Sequence, residues 1–166
     1  MTNLKSQSGR SMVEMLGVLA IIGVLSIGGI AGYTMAMNRF RANEILDTAA
    51  KLVVIAQTKN RGECTTAAPC KADLSDIGVS TVSGLATHTM EASFDGSATT
   101  VTMGTLSSSK VGDALDSVTG GSNCTGKTSC ALSMADGSTK LTTAAASTPT
   151  PTPPVGDGDG DGEGNQ

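Results

Sequence analysis

Three groups of residues have the types and spacing for chemistry. The first is a single acid: Glu14 is the only side chain charged at neutral pH between Met12 and Met37, in a run reading MVEMLGVLAIIGVLSIGGIAGYTMAM. A carboxylate in hydrocarbon is costly unless a positive group meets it, so its chemistry is charge pairing. The second group is Cys64, Cys70, Cys124 and Cys130, two pairs that share the spacing Cys-x5-Cys. In an exported compartment such cysteines form disulfides. Three pairings are possible and sequence does not choose among them; the two local bridges, Cys64 to Cys70 and Cys124 to Cys130, are favoured. The rival is a four-thiolate zinc site, which prefers closer spacing within each pair. The third group is Asp157, Asp159 and Asp161 with Gly162, which reproduce the opening of a calcium-binding loop. The sequence reaches Gln166 before the bidentate acid such a loop carries at its twelfth position. A weak calcium site is therefore the lesser reading, and no metal is favoured.

The remaining candidates carry less. His88 is the only histidine and falls in a predicted strand, with no nucleophile motif nearby. Asn123-Cys124-Thr125 matches a glycosylation triplet whose centre is a cysteine expected to be bridged. There is no phosphate-binding loop, zinc-protease helix or nucleophile elbow. The formal net charge is −4, and no basic patch is interleaved with aromatics, which argues against nucleic-acid binding. Neither an enzyme nor a cofactor is expected.

The elements that must position these residues follow from periodicity. The apolar run is long enough to span a bilayer as a helix, and it is too long for a secretory signal. Beyond Asn38, Leu46, Ala49, Val53 and Ala56 recur at helical steps, while Glu44, Asp47 and Lys51 fall on a separate stripe. No proline precedes Pro69. One helix from Ser11 to Thr58, about 70 Å long, is predicted, ending at Asn60, Arg61 and Gly62. After Lys71 the texture turns to Ser, Thr, Gly and Val. Asp95-Gly96, flanked by 86–94 and 98–106, and Asp136-Gly137, flanked by 130–134 and 139–143, are hairpin signals. Ser109 to Val118 predicts a short helix with Val111, Ala114, Leu115 and Val118 on its apolar face. Residues 144–154 form a Pro-Thr linker, followed by a Gly-Asp acidic tail too polar to fold alone.

The fold class expected is therefore α+β. A long N-terminal helix, first apolar and then amphipathic, packs on a small antiparallel sheet with an unfolded tail. Aromatic residues number only Tyr33, Phe40 and Phe94, so the head must pack with small aliphatic side chains, which often need covalent support.

The N-terminal motif adds to this. Gly9 is followed by Arg10, with Glu14 fifth counting from Arg10, and then by the apolar run. This resembles the processing segment of type IV pilins, a resemblance covering roughly residues 6–57. Arg10 stands where that family usually has Phe or Met. The resemblance implies a leader at 1–9, cleavage by a prepilin peptidase between Gly9 and Arg10, and N-methylation at Arg10. It further implies a filament-core helix at 10–37, an amphipathic half at 38–60, a head at 61–143 and a tail at 144–166. Glu14 would pair with the free terminal amine of a neighbouring copy and guide assembly. Gly28, Gly29 and Gly32 would mark where the helix melts in the filament. The implied partners are further copies of the chain, the peptidase, the assembly machinery and the bacterial inner membrane, and the assembled pilus would be extracellular. Two alternatives stand beside a major pilin. One is a type II secretion pseudopilin or minor pilin. The other, of a different class, is a single-span anchor carrying an exported binding domain.

Overall fold

The computed structural model describes residues 12–59, 63–135 and 138–146. Helix α1 spans Met12–Lys59 without interruption. Its length follows from the absence of proline. Glu14 in the first turn and Lys59 in the last complement the helix dipole. Five strands follow, β1 (Cys70–Asp73), β2 (Met90–Phe94), β3 (Ala98–Met103), β4 (Ala131–Ala135) and β5 (Thr142–Ala144). They form one sheet in chain order with every neighbour antiparallel. Helix α2 (Ser109–Thr119) lies between β3 and β4 in the chain. The architecture is α+β: a long apolar helix packed on a small antiparallel sheet.

Alternation explains the packing. Ala72, Ala92, Val101, Leu132 and Thr143 stand opposite one another in register and form a buried row across the sheet. The neighbouring row holds Lys71, Ser93, Thr100, Ser133 and Thr142, polar residues with period-two spacing that puts them on the opposite face. Helix α1 covers the apolar face, touching β1, β2, β3 and α2. It does so through Ala42, Ile45, Ala49, Leu52, Val53 and Ala56, a stripe at three- and four-residue steps. Ile45 rather than Leu46 is the fully buried member; Leu46 only borders the core.

Local signals set the edges of α2. Ser108 caps its start by accepting the Lys110 N–H at 3.2 Å. Gly120 ends it with φ of 76°, a left-handed cap that costs glycine little. The buried face of α2 holds Val111, Ala114 and Leu115 as expected, but not Val118. Val118 is 44% exposed, while Asp116 and Thr119 are buried. The reason is polar: Asp116 has partners in the head, described below.

The first hairpin forms around Asp95-Gly96, with strands shorter than the β-branched residues predict. Thr89 N–H donates back to Thr87 O, and Thr105 N–H is taken by the Thr87 hydroxyl. That bulge interrupts the ladder, which resumes only as a single bridge between Leu85 and Leu106. His88 sits in the bulge, exposed and outside any strand, with Nδ1 3.2 Å from Val82 O. The second hairpin pairs β4 with β5 as expected, but β5 begins at Thr142 rather than at Thr139. Strand β1 carries no sequence signal. Its four residues, CKAD, have weak strand preference, and the edge of β2 imposes their conformation.

Candidate functional site

Among the described residues, nothing covers most of the first half of α1. Fourteen large apolar side chains from Met12 to Met35 are each more than half exposed, Met12 reaching 84% and Ile27 73%. The first buried residue of the helix is Ala42. Covering such side chains is worth roughly 1.5 kcal/mol or more apiece, a total on the order of 20 kcal/mol, above the net stability of an ordinary domain. This surface is built to be covered, and the helix is long and apolar enough to cross a membrane.

The polar atoms of the segment fit an apolar surrounding. Ser26 donates its hydroxyl to Ile22 O at 2.8 Å, and Thr34 donates to Ala31 O at 2.9 Å. Both are satisfied within the helix, as a water-free environment requires. Glu14 is the exception. It lies in the first turn, exposed, and among the described residues it has no ion-pair partner. A carboxylate at this position in a surface that must be covered needs a cation from beyond the described residues.

Gly28, Gly29 and Gly32 lie in unbroken helix, and a Cβ at any of them would meet nothing within 4 Å. Packing inside the subunit therefore does not explain these glycines. Gly9 and Arg10 fall outside the described residues, as do the calcium candidates Asp157, Asp159 and Asp161 and the linker beyond Ala146.

The head is held together by covalent and polar ties. Cys64 bonds Cys70 and Cys124 bonds Cys130, with Cα atoms 5.3 Å and 5.4 Å apart. The thiolates that a zinc site would need are consumed in these bridges. Each closes a loop worth about 2 kcal/mol by the chain-entropy estimate. The first secures the segment after α1 to β1. Gly96, at φ of 93°, packs so closely on Cys64 O that a Cβ would stand 2.6 Å from it, joining the hairpin tip to the bridge. The second bridge frames a loop pressed on α2 at Gly112, where a Cβ would strike Cys124 O.

Sequence reasoning missed two carboxylates. Asp116 is 5% exposed and accepts from Cys124 N–H at 2.9 Å, from the Thr125 hydroxyl at 2.7 Å and from the Thr143 hydroxyl. Burial pushes its pKa up, but these bonds outweigh burial and hold the carboxyl below the usual range. Asp116 thus ties α2, the second disulfide loop and β5 together. Asn123 reinforces the tie by donating its amide to Thr143 O at 2.6 Å, which engages the amide of the glycosylation triplet. The second is Glu44. It lies on the expected polar stripe of α1, yet it accepts from Ser83 N–H at 3.1 Å and from the Ser83 hydroxyl at 2.6 Å. The one available hint for Asp116 was an acid placed between apolar residues of α2; Glu44 had none, because Ser83 is distant in sequence.

Comparison with protein-family models, with curated proteins and with solved structures finds no match for this chain. Among the described residues no group of His, Cys, Asp and Glu is arranged to hold a metal ion.

Proposed function

We propose that this chain is a structural subunit of a type IV pilus filament. It would be made as a membrane-anchored precursor in the bacterial inner membrane, cut after Gly9 by a prepilin peptidase and polymerised through α1 into an extracellular pilus. The observation that carries the reading is the bare half of α1, an apolar surface whose first turn holds one carboxylate with no ion-pair partner among the described residues. A bilayer and a bundle of identical helices are the two surroundings that cover such a surface from all sides. The Gly9-Arg10 motif supplies a new terminal amine, four residues before Glu14. In a bundle that amine on a neighbouring copy answers the acid only when the subunits are in register. The protein would act by cohesion, with no catalysis of its own. A single-span anchor shares the helix but has no use for the acid or the cut.

Mass spectrometry of the mature N-terminus together with electron microscopy tests this. A chain beginning at Arg10 and forming filaments is expected. Glu14→Gln should leave processing and head folding intact and sharply reduce filament number. Filaments in normal number from that variant, or an intact Met1 leader, overturn the reading in favour of the anchor. Filament length separates finer roles: long surface fibres mark a major pilin, short periplasmic ones a secretion pseudopilin.

A further inference from the structure

Where α1 enters the head, α2 lies beside it and the two helices leave a cleft of about 490 Å³. Ala31, Met35 and Arg39 line it from α1, and Lys110, Asp113 and Ala114 from α2. Its walls are thus apolar and cationic together. Arg39 is the first basic residue after Arg10. It is exposed and, among the described residues, has no ion-pair partner. Lys110 stands 3.4 Å from Asp113, an exposed and loose pair of the kind that contributes little. The other oxygen of Asp113 is taken by Gly126 N–H at 2.8 Å. Two cations and one acid leave the cleft net positive.

Position along α1 says what fits. Glu14 and Arg39 are about 38 Å apart along the axis at 1.5 Å per residue. A bilayer measures about 40 Å with its headgroup layers included. With Glu14 at one layer, Arg39 stands in the other. Tyr33, 66% exposed, lies on the membrane side of it, and tyrosine is enriched at membrane interfaces.

We propose that this cleft holds the headgroup phosphate of an anionic phospholipid while the chain is resident in the membrane. This deepens the proposed function, resting on its membrane stage. The Arg39 guanidinium offers paired donors that match phosphate oxygens, and Lys110 adds a point charge. The acyl chain lies along Ala31 and Met35, in continuity with the bare helix. A free phosphate uses the cations but leaves that apolar wall uncovered, so a lipid is the occupant. Helix α2 thereby rests the head on the bilayer, and leaving for a filament requires giving up this phosphate.

The test uses the full chain reconstituted in equal parts phosphatidylglycerol and phosphatidylcholine, then released in mild detergent for native mass spectrometry. The unmodified chain should retain phosphatidylglycerol over phosphatidylcholine by about thirtyfold, the scale set by two cations at an anionic surface. Arg39→Gln with Lys110→Gln should bring the ratio to parity while the chain stays in carbonate-washed membranes. Because the readout is a ratio, a reduced yield of folded variant does not mimic the effect. Parity in the unmodified chain, an unchanged ratio in the double variant, or displacement of the lipid by inorganic phosphate overturns the proposal. Release of the unmodified chain by carbonate refutes the membrane stage itself; a membrane-held chain without lipid preference refutes only the cleft.

Discussion

Asp116 shows how one side chain organises a head that has little core to spare. Its two oxygens satisfy three donors drawn from the disulfide loop and the last strand. Asp116→Asn puts an amide N–H where a donor already points, and should cost about 2 kcal/mol at neutral pH, read as a lower denaturant midpoint. The folded carboxyl titrates below its ordinary 3.8. Its contribution is therefore complete above that value and is lost as pH falls through the lower, folded one. Acid unfolding of the unmodified chain should carry this loss, and the Asn variant should show a flatter acid limb. Sequence could not disclose the network, because Asp116 and Thr143 are 27 residues apart and nothing local marks them as neighbours. Glu14 is the contrary case. Its oddity is legible at once, since an acid alone in an apolar run contradicts its surroundings.

At the scale of elements, legibility followed whether local pattern or tertiary contact decided the outcome. Helix α1 needed only a long proline-free stretch and its apolar periodicity. Helix α2 was legible from Val111, Ala114 and Leu115 at helical steps, though the edge of its buried face depended on Asp116. Strand β1 was hidden because its partner strand, not its composition, makes it extended. The glycines of α1 give the prediction that belongs here. Because a methyl group at Gly28 or Gly29 meets nothing, Gly28→Ala with Gly29→Ala should stabilise the helix by about 1 kcal/mol per site. Circular dichroism in detergent should show helix content at least equal to the unmodified chain. If the helix must open at this point for subunits to assemble, the same variant should form fewer filaments, counted by electron microscopy.

The whole molecule divides by environment rather than by domain boundary. All the buried residues of α1 lie from Ala42 onward, so the segment before it adds nothing to the core. A chain starting at Met37 should fold with both disulfides and remain monomeric without detergent, by light scattering and non-reducing electrophoresis. The full chain should need detergent or assemble. The α+β architecture was legible at this scale because a single helix explained the apolar and amphipathic patterns together. The outward rotation of Val118 and the bulge at Thr87 were not, since each answers to residues far along the chain.

The scarcity of aromatic residues has an experimental use. With no tryptophan present, Tyr33 is the sole tyrosine, and it projects from the bare helix at 66% exposure. Ultraviolet emission from the intact chain therefore arises from this one ring, free of background from the sheet. Its quantum yield and quenching by iodide report whether that stretch of helix is wet or sheltered, so polymerisation can be followed in real time without a dye.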